Sequence, residues 1–166
     1  MDTTRKVEIG TEFKDKGNAA FVKGDYTGAL REYYHAVLYL SGLDRQAVEG
    51  LGGAQPAEKN HEADKQLGLV RSNMAACYLQ QGRYDRAVDA AEKALKIDES
   101  NQKAIFRKAQ ALRLRGDLHA AQDFLKSDTA RPFADHPDFI AEAARVAAAI
   151  RSREQKSAAA LRGFLR

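Results

Sequence analysis

Apolar and polar residues recur with a helical period over most of this chain. The clearest case is 102–116, QKAIFRKAQALRLRG, where Ala104, Ile105, Ala109, Ala111 and Leu112 are available for packing. Lys103 and Arg107 lie four apart, so they share one helical face, a turn from each other. Comparable patterns predict helices over 7–23, 25–40, 65–81, 84–97 and 118–126. A closing helix is predicted over 138–165, its pattern running to about 162. Its expected apolar stripe is Phe139, Ile140, Ala143, Ala144, Val146, Ala147 and Ile150. Residues 128–137 hold Pro132 and Pro137 and read as a connector, because proline cannot donate to a helix and crowds the preceding turn. Residues 1–6 read as a polar, frayed start. Alanine is abundant and few runs are β-branched, so the expected fold class is all-α.

Three stretches repeat one another. FKDKGNAAFVKGDYTGALREYYHAVLYL begins at Phe13, RSNMAACYLQQGRYDRAVDAAEKALKID at Arg71, and AIFRKAQALRLRGDLHAAQDFLKS at Ala104. Each has a helical run, a glycine, a tyrosine or leucine two residues later, an alanine three beyond that, and a second helical run. Gly82 and Gly116 are 34 positions apart; Gly24 and Gly82 are 58 apart, one such period plus 24. Glycine tolerates the left-handed conformation that ends a helix. Tyr26, Tyr84 and Leu118 are placed to fill the gap beside each turn, and Ala29, Ala87 and Ala121 are small where paired helices approach most closely. A 34-residue period of paired helices resembles the tetratricopeptide repeat. The resemblance covers about 12–127 and implies three helix-turn-helix repeats in a short right-handed solenoid, with the long C-terminal helix as its cap. Repeat one is expected at about 7–41, an insertion loop at 42–64, and repeats two and three at 65–127. The insertion's middle, GLGGAQPAEKN, has no helical period and reads as a mobile loop. Tyr26, Tyr33, Tyr34 and Tyr39 read as packing residues with no ligand role.

Composition narrows the function classes. The 166 residues are 44% hydrophobic and 30% charged, with a net charge of +4, suited to one domain with its own core. That charge favours anionic partners without demanding nucleic acid, which would want a broader basic stripe with stacking aromatics. No apolar run reaches membrane-spanning length and 1–10 shows no secretory signal, so a cytoplasmic protein without integral membrane association is expected. The single cysteine, Cys77, reads as a small core residue rather than a nucleophile. His35, His61, His119 and His136 are scattered without metal-ligand spacing, and the glycines at 50–53 lack the lysine and serine or threonine of a phosphate loop. No catalytic residue, metal or cofactor is expected.

Five positions carry the expected chemistry. In a tetratricopeptide array the first helix of each pair lines the concave groove. Lys14 and Asn18, four apart, share a face of the first helix of repeat one. Asn73 and Arg107 are 34 apart and hold the same place in repeats two and three, with Lys103 one turn before Arg107. No carboxylate is expected to neutralise them; Glu12 and Asp15 are near in sequence and are expected to be rotated away from the Lys14–Asn18 face. Three cations and two amides facing one groove repel when empty and suit an anion.

The order KxxxN, N, KxxxR resembles the dicarboxylate clamp of chaperone-binding tetratricopeptide domains. The resemblance implies a groove for the acidic C-terminal Glu-Glu-Val-Asp peptide of heat shock protein 90 or 70 chaperones. It implies Lys14, Asn18 and Asn73 on the terminal carboxylate and Lys103 and Arg107 on the aspartate side chain and preceding peptide. Phe21, Ala76 and Leu79 are expected to line the groove upstream. The insertion and the phrase YHAVLYLSGLD resemble the tetratricopeptide repeat protein 9 family and immunophilin-type domains. The expected function is a non-enzymatic adaptor or co-chaperone. A second protein partner on the loop, the convex face or the C-terminal tail stays open; the basic tail RSREQKSAAALRGFLR reads first as a solvated cap end, and otherwise suits a membrane surface or a calmodulin-like protein. Two alternatives stay open: a scaffold binding an internal segment of another protein, and a non-catalytic relative of a peptidyl-prolyl isomerase co-chaperone.

Overall fold

A computed structural model describes residues 2–42 and 60–166. Among them the chain forms seven α-helices: α1 Thr3–Val22, α2 Tyr26–Leu40, α3 His61–Gln80, α4 Tyr84–Ile97, α5 Gln102–Arg115, α6 Leu118–Lys126 and α7 Pro137–Phe164. No strand occurs among the described residues. Consecutive helices pack as antiparallel pairs: α1 on α2, α3 on α4, α5 on α6. The first helices also touch in series, α1 on α3 and α3 on α5. They therefore form one continuous inner layer, while α2 and α4 bridge to the next pair behind it.

Local chemistry sets the helix ends. Gly24, Gly82 and Gly116 adopt φ of 78°, 71° and 97° at the three intra-repeat turns, a region closed to most side chains. Asp25, Asn60 and Asn101 each accept a hydrogen bond from a backbone N–H in the next turn, capping α2, α3 and α5. The Asn60 cap makes α3 begin at His61, four residues before the expected start. Of the expected insertion, 43–59 lie outside the described residues. Residues 3–6, expected to fray, are the first turn of α1.

The pairs close because one helix of each is small where the other is large. Ala29, Ala87 and Ala121 are fully buried. In α1 the small residues are glycines. A Cβ on Gly17 would lie 2.4 Å from a ring carbon of the buried Tyr33, and one on Gly10 would lie 2.6 Å from Leu40 Cγ. Mid-helix glycine costs about 1 kcal/mol against alanine; here it lets α2 press its large side chains onto the α1 backbone.

The cap differs from its expected stripe. The face of α7 that is buried carries Phe139, Glu142, Val146 and Ile150, while Ile140, Ala143 and Ala144 are exposed. Glu142 has no accessible surface; it accepts from Arg113 Nε of α5 at 2.5 Å and from Arg145 Nη1 at 3.1 Å. An acid with two arginines thus sits in the middle of the apolar seam, which displaces the stripe around the helix. Phe139 stacks on Phe133 of the connector, where 131–133 form a 3₁₀ turn, and meets Phe106 edge-on. From 151 onward every residue of α7 is exposed, a free helical end about 20 Å long.

Removing the acid from this seam leaves Arg113 unpaired against the core. Glu142→Ala is expected to lower stability by about 3 kcal/mol, read as a fall in the urea midpoint. Ile140→Ala, on the exposed side of the same helix, is expected to change it by under about 0.5 kcal/mol.

Candidate functional site: a cationic groove on the first helices

The five singled-out residues lie on α1, α3 and α5, the helices of the inner layer. Three are joined directly. Asn73 Nδ2 donates to Asn18 Oδ1 at 3.0 Å, and Arg107 Nη1 donates toward Asn73 Oδ1 at 3.5 Å. Arg107 Nη1 also donates to Ser72 O at 2.7 Å and Ser72 Oγ at 2.9 Å, which pins the guanidinium against α3. Tyr33, reaching past Gly17 from α2, donates its hydroxyl to Asn18 Oδ1 at 2.6 Å.

These bonds have a direction. Arginine donates and cannot accept, so Asn73 turns its oxygen to Arg107 and its nitrogen to Asn18. Asn18 must then present its oxygen to Asn73, where Tyr33 donates as well. Its amide nitrogen is left for something outside the network. Asn18 Nδ2, Lys103 Nζ and the second terminal nitrogen of Arg107 take part in none of the hydrogen bonds among the described residues. They are donors in search of an acceptor.

Lys14 is tied differently from expectation. Its Nζ donates to Gln66 Oε1 of α3 at 2.5 Å, and Gln66 Nε2 donates to Glu62 at 2.8 Å. Neither residue stands at a repeat position that the other repeats share, so the repeat alignment gave no signal for them. A carboxylate is therefore two links from Lys14, though among the described residues none bonds directly to any of the five. Glu12 and Asp15 line a separate cleft with Thr4, Val7 and Glu62, rotated from Lys14 as expected.

Burial shapes the electrostatics. It lowers the Arg107 guanidinium from its ordinary value. It pushes the Tyr33 phenol up to about 12 and the Cys77 thiol up to about 11, so both stay neutral near pH 7 beside Arg107. The field of Arg107 is thus not cancelled from below. Tyr33, expected to be packing alone, is part of the polar network; its place two turns into α2 gave no periodic sign of that. Tyr34 and Tyr78 hydrogen-bond to each other through their hydroxyls between repeats one and two.

Lys103 and Arg107 also form one wall of a cavity of about 660 Å³. Phe21 of α1, Ala76 and Leu79 of α3, Phe106 and Leu114 of α5, and Phe139 of α7 give it an apolar lining. The three residues expected to line the groove are all there. No group of His, Cys, Asp and Glu among the described residues is arranged to hold a metal ion. Charged donors beside an apolar cavity can hold an anionic group and one neighbouring apolar side chain together.

Comparison with known proteins agrees with this architecture. The tetratricopeptide repeat family model matches residues 69–101. The chain is 29% identical over 130 residues to human peptidyl-prolyl cis-trans isomerase FKBP4, covering 76% of this chain and 26% of that protein. It is 32% identical over 127 residues to Protein unc-45 homolog B of Xenopus tropicalis, covering 76% of this chain and 11% of that one. The chain thus spans about a quarter or less of the length of these curated relatives. Among solved structures it is similar to the C-terminal tetratricopeptide domain of a Plasmodium falciparum FK506-binding protein, with TM-score 0.75 at 21% identity over 93% of this chain and 97% of that one. The second such domain of human RPAP3, solved with the HSP70 peptide SGPTIEEVD, gives TM-score 0.62 at 20% identity over 87% and 98%. The first such domain of Spaghetti (RPAP3), bound to the HSP90 peptide SRMEEVD, gives 0.65 at 17% over 87% and 94%. The helix pairs, the 34-residue spacing of their turn glycines and the family match agree: residues 69–101 are a tetratricopeptide repeat, and the chain has the fold of tetratricopeptide domains.

Proposed function

We propose that the chain is a non-enzymatic adaptor of the co-chaperone type, which holds the acidic C-terminus of a heat shock protein 90 or 70 chaperone in this groove. The observation that carries the reading is the polarity of the Tyr33–Asn18–Asn73–Arg107 network, which leaves donors of Asn18 on α1 and of Arg107 on α5 without acceptors among the described residues. A peptide ending in aspartate brings two carboxylates on one residue, the chain terminus and the side chain. In this reading the terminal carboxylate takes Asn18 Nδ2, Asn73 and Lys14, displacing Gln66 from the lysine. The aspartate side chain takes Lys103 and the free edge of Arg107. Charge-assisted bonds of this kind contribute about 1.5–3 kcal/mol each before ordering costs. The relatives support the reading through the peptides SGPTIEEVD and SRMEEVD, which both end in the same four residues. Isomerase activity of the longer relatives is not carried over.

Calorimetric titration with SRMEEVD is expected to give a dissociation constant near micromolar, about −8 kcal/mol. Lys103→Glu should abolish binding while circular dichroism stays helical. Intact protein that ignores the peptide would return these residues to a solvated face. An amidated peptide should bind at least tenfold more weakly; equal binding would favour a groove that reads internal segments.

Tyr33→Phe isolates the second link. It keeps the ring packed at Gly17 and releases Asn18. The acid-ended peptide should bind about fivefold more weakly, the value of one hydrogen bond. The amidated peptide should bind both proteins alike. An equal loss for both peptides would mean that the hydroxyl acts only on the fold.

A further inference from the structure

The cavity beside Lys103 and Arg107 ends on the first turn of α7, at His136 and Asp138. His136 caps this helix: its Nδ1 accepts the backbone N–H of Asp138 at 3.3 Å. A nitrogen used as an acceptor has no proton to give, so it cannot serve as the hydrogen-bond donor to the Asp138 carboxylate, whose Oδ2 stands 3.9 Å away. Asp138 is the one acid among the described residues lining this cavity, and its side chain is 72% exposed. The other charges there, Lys103 and Arg107, are the ones a peptide's carboxylates would neutralise. Once a peptide is bound, the remaining fixed charge among the described residues lining the cavity is negative and sits on the first turn of α7.

We propose that Asp138 is a specificity-determining residue. It makes the groove prefer acidic C-terminal peptides that carry a cationic side chain just before the apolar residue entering the cavity. The inference rests on the clamp reading above and extends it to the peptide's upstream end. A peptide anchored on Lys103 and Arg107 must next cross the cavity those two residues wall. Phe21, Leu79, Phe106 and Phe139 offer it room for one apolar side chain. The residue before that one reaches the α7 rim, where an arginine's long stem lets its guanidinium span to Asp138 while its methylenes lie along the apolar wall. A short neutral side chain at that position gains nothing. Of the two peptides above, SRMEEVD has arginine before its methionine, and SGPTIEEVD has threonine before its isoleucine. The groove should therefore favour the first. The preference is modest, because an exposed ion pair is worth little in water.

The test compares SRMEEVD, its Arg-to-Ala form SAMEEVD, and SGPTIEEVD on the intact protein, Asp138→Asn and Asp138→Lys, by fluorescence anisotropy. On the intact protein SRMEEVD should bind about threefold more tightly than SAMEEVD, and raising salt to about 0.5 M should shrink that ratio. Asp138→Asn should bring the ratio to one through weaker SRMEEVD binding, with SAMEEVD unchanged. Asp138→Lys should invert it. If both peptides bind and the ratio ignores Asp138, the specificity assignment is wrong and the clamp stands. If neither binds the intact protein, the clamp reading fails and takes this one with it.

Discussion

A guanidinium donates hydrogen bonds and accepts none, and Arg107 is where that asymmetry enters the array. Its Nη1 is held by the carbonyl and hydroxyl of Ser72, so it cannot swing away. Everything upstream is then forced. Asn73 turns its oxygen to Arg107, Asn18 turns its oxygen to Asn73, and Tyr33 donates to that same oxygen. Side-chain amides are often ambiguous because both ends look alike; here a fixed cation removes the ambiguity across three helices. Burying that cation is costly. The cost is offset by a backbone carbonyl, a hydroxyl and an amide oxygen, none of them charged. The guanidinium therefore keeps its full charge for whatever occupies the groove.

The same network depends on how closely α1 and α2 pack. Tyr33 belongs to the second helix of its pair and would not reach the inner layer past an ordinary side chain. Gly17 opens the way, since a Cβ there would overlap the ring. The groove is therefore organised partly from behind, by a residue that no ligand touches. Lys14 shows a comparable economy. Gln66 offers a neutral oxygen to the ammonium, which steadies the side chain without cancelling its charge. A glutamate in that place would compete with an incoming carboxylate.

The repeats were legible in the sequence because each turn needs the same glycine and each helix crossing the same small residue. The spacing of Gly82 and Gly116 and the buried alanines follow from that one geometry. The candidate groove residues were legible for the same reason: residues that share a repeat position share a direction. What did not repeat stayed hidden. Gln66 lies on α3 just after the insertion, and the matching positions of the other repeats hold Glu8 and Ser100, so the repeat did not mark it. Glu142 interrupts an alanine-rich stripe and reads as a solvent position. Its partner Arg113 is 29 residues earlier on another helix, and only the packed structure brings them together. The first turn of α1 was missed because its residues are polar, although they extend a helix already secured by the packing that follows.

The last helix is anchored over its first half and free over the second. Residues 137–150 hold the seam with Phe139, Glu142, Val146 and Ile150, whereas 151–164 are exposed throughout, with Arg153 donating to the carbonyl of Gly116. Isolated helices of that length are marginal in water, but this one grows from a nucleus the core has already formed. Mechanically the result is a lever. Whatever pulls on its tip loads the Arg153–Gly116 bond first, then Ile150 and Val146, and last the Arg113–Glu142 junction; Arg113 and Gly116 both lie at the end of the rod that carries Lys103 and Arg107. A sideways force at the end of the chain is thereby delivered as torque to the helix that carries the groove's cations.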